Sequence, residues 1–136
     1  MAKIALCTEV MYPLYGVERR VYEMAKRLPK YGHEIELYSS TQNGFLDVDI
    51  TQVSKPTITS PPKRNYIHCL QYFRNMVNAL KRSDCDIIDA NGHLSLLPCS
   101  MAGMKTKKPV VATIHDLYLL EWHYMHKGLG AFVGLP

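Results

Sequence analysis

The sequence lacks the features that mark several common classes of protein. No apolar run approaches the ~18 residues that a membrane-spanning helix needs. The start, Met1-Ala2-Lys3, leads directly into an apolar pattern, so we expect no signal peptide and a cytoplasmic protein. No two of the four cysteines form a C-x-x-C pair, which argues against a zinc site or a redox motif. The cysteines, which we expect to be reduced, are Cys7, Cys69, Cys85 and Cys99.

Motifs that carry known chemistry are also missing. The chain contains no Walker A, G-x-S-x-G or H-E-x-x-H motif, and we expect neither a metal nor a cofactor. It has no G-x-G-x-x-G fingerprint, which argues against a dinucleotide-binding enzyme such as a sugar-nucleotide epimerase. It has no RNA-binding motif, and its aromatic residues do not alternate with basic ones, so we expect no nucleic-acid partner.

Acidic residues are absent from one long stretch of the chain. The net charge is a modest +4, but residues 50–83 contain six basic residues and no acid. Two interpretations remain open: a solvated basic face, or a surface that attracts phosphate groups or anionic lipid. The six residues are Lys55, Lys63, Arg64, Arg74, Lys81 and Arg82.

The remaining pattern alternates between strand and helix. A short apolar strand is predicted at residues 3–9, followed by a loop that contains Pro13 and Gly16. Helical spacing then predicts an amphipathic helix, and alternation predicts a second strand. Such a unit pairs its two strands in parallel with a right-handed crossover. The helix is expected at residues 17–28 and the second strand at 33–39.

Beyond residue 39 the same alternation resumes after an irregular segment. Residues 40–64 hold Ser, Thr, Asn, Gly and Pro, with one short strand expected at 57–59. The later elements predict an α/β domain with a mostly parallel sheet. They are a helix at 65–82, a strand at 86–90, a turn at 91–93, a helix at 94–104, a strand at 109–114 and a helix at 117–127.

Three loops are expected to meet at the carboxyl edge of this sheet, where α/β domains bind ligands. They are residues 10–16, 91–93 and 115–117. Gly16 precedes a helix N-terminus, where backbone N–H groups and the helix dipole attract phosphate, although a plain loop turn explains it equally well. His115 ends the most apolar strand and can donate to a sugar hydroxyl or a phosphate oxygen, or hydrogen-bond locally.

Other residues on or next to these loops are further candidates for the cleft. Asp116 could face the cleft, but the cap of the following helix is the preferred role. His93 lies in the turn after the penultimate strand and could instead be an exposed loop histidine. The full set of these secondary candidates is Glu9, Tyr15, Asn91, His93 and Asp116.

Taken in order, several stretches resemble the N-terminal domain of retaining, GT-B-fold glycosyltransferases of family 4, the glycogen synthase and mannosyltransferase group. The pattern is strong because the stretches follow one another at the family's separations. The family usually has two adjacent glycines where this chain has Tyr15-Gly16. The matching stretches are KIALCTE at 3–9 with Tyr12-Pro13, GVERRVYEMAKRL at 16–28, YGHEI at 31–35, DIIDANG at 86–92 and PVVATIHD at 109–116.

The resemblance implies a Rossmann-like, three-layer domain that forms half of a GT-B fold. It also implies transfer of a sugar from a UDP-, GDP- or ADP-sugar with retention of configuration. The Gly16 loop would approach the donor diphosphate, and His115 would contact the donor sugar. The basic segment 50–83 would shape a site for a sugar or lipid-linked acceptor, with peripheral contact at the membrane surface.

On this resemblance, residues 1–136 form an incomplete N-terminal, acceptor-side domain, and the nucleotide-sugar-binding C-terminal domain is missing from the chain. The isolated chain is then expected to be inactive. The alternative is a stand-alone α/β binding module without catalysis. Such a module would self-associate as a homo-oligomer through the surface that the second domain normally covers.

Overall fold

A computed structural model describes residues 1–9, 16–40, 48–53 and 66–114 of the chain. Three candidate site residues, Tyr15, His115 and Asp116, lie outside these ranges, as do the strand expected at 57–59 and the helix expected at 117–127. The strands are β1 (Lys3–Thr8), β2 (Glu34–Ser39), β3 (Thr51–Gln52), β4 (Ile87–Asn91) and β5 (Val110–Thr113). The helices are α1 (Gly16–Arg27), a 3-10 turn (Leu28–Tyr31), α2 (Tyr66–Arg82) and α3 (His93–Thr106).

The described strands form one parallel sheet in the order β3-β2-β1-β4-β5. All four neighbouring pairs run in parallel. Strand β1 lies at the centre, where Leu6 pairs with Leu37 of β2 on one side and with Asp89 of β4 on the other. This arrangement confirms the predicted α/β fold with a mostly parallel sheet.

Helices cover both faces of the sheet, as a three-layer domain requires. Alternate residues of a strand point to opposite faces, so β1 contributes to two separate cores. Leu6 packs in one core with Val21 and Ala25 of α1. The other core joins the sheet to α2 and α3 and contains Ala5, Cys7, Tyr38, Val53, Tyr72, Met76, Leu80, Cys85, Ile88, Ala90, Cys99 and Ala102.

A short strand that the sequence analysis did not predict follows β2, within the segment expected to be irregular. It forms at Thr51–Gln52, where Thr51 pairs with Tyr38. Two side chains hold this segment in place: Gln52 Nε2 donates to the Ser40 carbonyl at 3.1 Å, and Asn75 Nδ2 of α2 donates to the Val53 carbonyl at 2.6 Å. A two-residue strand fixed by distant partners has too few positions to show an alternating pattern.

A charged cluster closes the amino edge of the sheet. Lys3 Nζ lies 3.0 Å from Glu34, 3.1 Å from Glu36 and 2.6 Å from Asp84. These carboxylates raise the pKa of Lys3, and the hydrogen bond from Lys3 lowers the pKa of Asp84. The cluster ties the start of β1 to β2 and to the segment before β4, at the end of the sheet opposite the candidate site.

Candidate functional site at the carboxyl edge of the sheet

The carboxyl edge brings together the ends of the strands and the starts of the helices. Because the strands are parallel, Thr8, Ser39 and Asn91 finish at the same edge, and all three are buried. Helix α1 begins at this edge with Gly16, and α3 begins there with His93. The structure therefore groups the described candidates at one edge, as predicted.

Gly16 starts α1 one residue earlier than the helical spacing predicted. It is exposed, and a Cβ built on it would meet nothing within 4 Å. The first four N–H groups of a helix have no partner within the helix and carry the positive end of its dipole. The first turn of α1 therefore offers open space and backbone donors at the carboxyl edge.

Arg20, one turn further along α1, joins this helix to the end of β4. Its Nη1 donates a hydrogen bond to Oδ1 of Asn91, across 71 positions of sequence. Asn91 has no exposed surface, and its Nδ2 donates to the Asp89 carbonyl at 3.3 Å. Both polar atoms of the Asn91 side chain are thus partnered within the protein. This contact places a guanidinium beside the first turn of α1.

The turn expected at residues 91–93 is tighter than predicted. Asn91 is the last residue of β4, His93 is the first residue of α3, and Gly92 alone connects them. Gly92 has φ of +83°, a conformation that side-chain-bearing residues rarely adopt. Its N–H approaches the Thr113 carbonyl of β5 at 3.5 Å. The positive φ lets the chain turn within one residue, which exposes His93 at the helix start.

Glu9 anchors the chain that follows β1. Its carbonyl oxygen accepts hydrogen bonds from the Ser40 N–H at 3.0 Å, the Ser39 hydroxyl at 3.3 Å and the Ser40 hydroxyl. These bonds join the end of β1 to the end of β2. The backbone of Glu9 therefore has a structural part in the edge.

Glu9 follows Cys7 by two residues, and Cys7 packs in the core with α2 and α3, so the alternation along β1 places Glu9 on the α2 side of the edge. Burial is the main reason that the pKa of Tyr72 is raised, and the negative charge of Glu9 adds to that rise. The Tyr72 and Ser95 hydroxyls share a buried hydrogen bond of 2.7 Å. Burial likewise raises the pKa of the Cys7 thiol. Tyr72 and Cys7 therefore stay protonated near neutral pH and are not positioned as bases or nucleophiles.

The described candidates fall on two sides of the sheet edge. Gly16 and Asn91 lie on the α1 side, joined through Arg20. Glu9, by alternation from Cys7, and His93, as the first residue of α3, lie on the side of α2 and α3. The sequence analysis missed Arg20, Ser39 and Ser40. A spacing of four residues from Gly16 could have indicated Arg20, because such residues share one side of a helix.

The outer surface of α2 carries apolar and basic residues next to the same edge. Ile67 and Leu70, in the first turns of α2, are 68% and 72% exposed, and Leu97 of α3 is 62% exposed. Arg74, Lys81 and Arg82 follow along α2 and are also exposed. The other three residues of the predicted basic segment lie outside the described ranges. The described part of the segment is thus a mixed apolar and basic surface rather than a purely basic one.

An open depression of about 550 Å³ lies elsewhere, at the other end of α1. Ala25, Pro29, Ile35 and Leu37 line it together with Val48. None of the four described candidates, Glu9, Gly16, Asn91 and His93, lines it, so it lies apart from the described candidate site. Among residues 1–9, 16–40, 48–53 and 66–114, no group of three His, Cys, Asp or Glu residues could hold a metal ion. Within those same ranges, no helix is long and apolar enough to cross a membrane.

The parallel sheet, the helices on both faces and the helix starts at its carboxyl edge define a Rossmann-like domain of the GT-B type. MurG of Acinetobacter baumannii, a GT-B glycosyltransferase, has a similar structure, with a TM-score of 0.55 at 13% sequence identity. The match covers 82% of this chain and 35% of the MurG chain, so the chain spans about a third of that protein's length. The search of curated proteins finds no match.

The family model "Glycosyltransferase Family 4" matches residues 15–134. The chain therefore belongs to glycosyltransferase family 4, which confirms the resemblance drawn from the sequence. The match includes Tyr15, Gly16, His115 and Asp116, while Glu9 lies before it. The roles of all the candidate residues stay predictions.

Proposed function

We propose that this chain is the N-terminal, acceptor-side part of an enzyme that transfers a sugar from a UDP-, GDP- or ADP-sugar with retention of configuration. Membership of glycosyltransferase family 4 supports sugar transfer in general. The observation that carries the donor assignment is the open first turn of α1 at Gly16, at the carboxyl edge of the sheet. Backbone N–H groups at a helix start suit a diphosphate.

In this proposal each part of the edge has a separate task. The Gly16 turn approaches the donor diphosphate, and His115, two residues after β5 in the sequence, hydrogen-bonds the donor sugar. Glu9 and His93, on the α2 side, face the acceptor together with Tyr15 and Asp116, while the buried Asn91 supports the edge from within. No metal is assigned to the reaction, and charge on the diphosphate is balanced by protein donors.

A second domain supplies the other wall of the cleft in this proposal. The chain corresponds to about a third of the MurG chain, and the donor must be enclosed from two sides to exclude water. Residues 1–136 alone are then inactive, and the working enzyme is a cytoplasmic protein with this chain as its first domain. Assaying transfer by the chain alone and by the protein extended beyond Pro136 tests the arrangement directly.

Replacing His115 by alanine in the extended protein tests the proposed chemistry. We expect kcat/KM to fall about 100-fold, because one hydrogen-bond donor to the transition state is lost. His33→Ala, at the opposite end of the sheet, serves as the control and should leave transfer unchanged. The assay compares UDP-, GDP- and ADP-sugars and determines the anomeric configuration of the product by NMR. Equal rates for wild type and His115→Ala would remove His115 from the mechanism, and an inverted product would exclude retention.

We also propose that the acceptor is lipid-linked and is taken from a membrane surface by α2. Exposed Ile67 and Leu70 can enter the interface while Arg74 and Lys81 face anionic headgroups. Each basic residue near such a surface contributes about 1 kcal/mol, which corresponds to roughly fivefold in affinity. The starts of α2 and α3 lie at the carboxyl edge, so a headgroup held there would be close to Glu9 and His93.

Sedimentation with vesicles tests the membrane contact. We expect binding to vesicles that contain anionic lipid, and an affinity about fivefold lower for Arg74→Gln. Lys30→Gln removes the same charge from the 3-10 turn, away from α2, and should have little effect. Equal losses for the two variants would indicate attraction by net charge only. Absence of binding to anionic vesicles would contradict membrane contact.

A further inference from the structure

One contact in the candidate site connects two loops that approach the proposed ligands from different parts of the chain. Arg20 lies in α1, four residues after Gly16, and Asn91 ends β4, directly before Gly92 and His93. The hydrogen bond between them spans 71 positions. The hydrogen bonds between the strands do not connect Gly16 to His93, because each of these residues starts a helix beyond the end of a strand.

The burial of Asn91 makes this bond important for the local structure. Asn91 has no exposed surface, and its Nδ2 is already bonded to the Asp89 carbonyl. If Arg20 were removed, Oδ1 would lose the donor that the structure gives it. A buried acceptor without a donor is unfavourable, so the Asn91 side chain or the first turns of α1 would have to shift.

The guanidinium is well suited to hold two elements together. It is planar and carries five N–H donors in a fixed fork, so binding Asn91 Oδ1 also sets the direction in which its other N–H groups point. A lysine at this position would keep the charge but not this orientation. Arg19, the preceding residue, carries the same charge and is exposed. Arg19 and Arg20 therefore carry the same charge but differ in the hydrogen bond to Asn91, which Arg20 makes.

We propose that Arg20 is a positioning residue for glycosyl transfer: through Asn91 it fixes the first turn of α1 against the Gly92-His93 turn. It thereby sets the spacing between the proposed diphosphate position at Gly16 and the acceptor side at His93. This inference rests on the proposed function and adds to it a residue and a task. Arg20 acts through Asn91.

A double-mutant cycle in the extended protein tests the positioning role. We expect Arg20→Ala and Asn91→Ala each to raise KM for the nucleotide sugar about tenfold while kcat changes less than about threefold. The double variant should be no worse than either single variant, because both changes remove one link. Arg20→Lys should recover only part of the loss, and Arg19→Ala should behave as wild type. Additive effects, or equal effects of Arg19→Ala and Arg20→Ala, would overturn the proposal.

Hydrogen exchange on the 136-residue chain provides a readout that does not depend on catalysis. The amides of residues 20–23 close the first turn of α1, and Arg20→Ala should speed their exchange about tenfold while amides of α2 stay unchanged. Unchanged exchange at 20–23 would show that the link does not hold the helix and would overturn the proposal. If the wild-type protein transfers no sugar, the proposed function fails and the positioning role fails with it. The exchange result then still decides whether the link itself exists.

Discussion

Replacing Leu80 by alanine is expected to lower the free energy of unfolding by about 3 kcal/mol. Leu80 has no exposed surface and packs in the core between α2 and the sheet with Met76 and Ile88. Truncation removes buried methyl groups and leaves a cavity that the surrounding side chains fill only in part. This loss is a large fraction of the roughly 5–15 kcal/mol that stabilises a typical domain.

The same helix contains a matched control for this prediction. Leu70 is 72% exposed, so Leu70→Ala should change the stability by less than about 0.5 kcal/mol. Urea unfolding followed by circular dichroism measures both variants. A cost above about 1.5 kcal/mol for Leu70→Ala would mean that this surface is covered in solution. That result would also contradict the proposed availability of α2 for a membrane.

Replacing Gly103 by alanine is expected to destabilise the chain by about 1–3 kcal/mol. Gly103 is buried in α3, where a Cβ would overlap Cγ2 of Val110 and would lie 3.0 Å from the Lys108 carbonyl. Alanine is favoured over glycine within a helix by about 1 kcal/mol, which offsets part of the cost. The overlap involves a branched side chain and backbone, so α3 or β5 must move to accept the methyl group.

Gly16 provides the comparison, because its Cβ would enter open space at the start of α1. Gly16→Ala should leave the melting temperature within about 2 °C of wild type, whereas Gly103→Ala should lower it by about 3–4 °C per kcal/mol lost. Adding Val110→Ala to Gly103→Ala should recover part of the loss, since it removes the overlapping methyl group. If the second change recovered nothing, the clash with Val110 would not be the cause.

Local spacing was enough to predict most of the elements. Val21 and Ala25, one turn apart, indicated the buried side of α1, and the apolar runs predicted β1, β4 and β5. These patterns repeat within a few residues, so they are visible without knowledge of distant neighbours. The matches to the family's motifs likewise led to the family that the comparison confirms.

The shortest elements were predicted poorly, because a strand or turn of one or two residues cannot show a repeating pattern of apolar and polar residues. Strand β3 has two residues, and its position depends on pairing with Tyr38 and on side chains such as Asn75. The turn after β4 shrank to one residue because Gly92 adopts a positive φ. The residues of these segments are compatible with several local conformations, so distant partners select one.

In the candidate site, too, the sequence predicted some features and the tertiary structure decided the others. Hydrophobic periodicity and the position of Gly16 before a helix predicted that Gly16, Asn91 and His93 would meet at one edge, because parallel strands end together. The bond from Arg20 to Asn91 and the placement of Glu9 and Asn91 on opposite faces of the sheet were decided only in the folded molecule. Those features depend on strand order and register, which bring residues 71 positions apart into contact and leave no trace in local spacing.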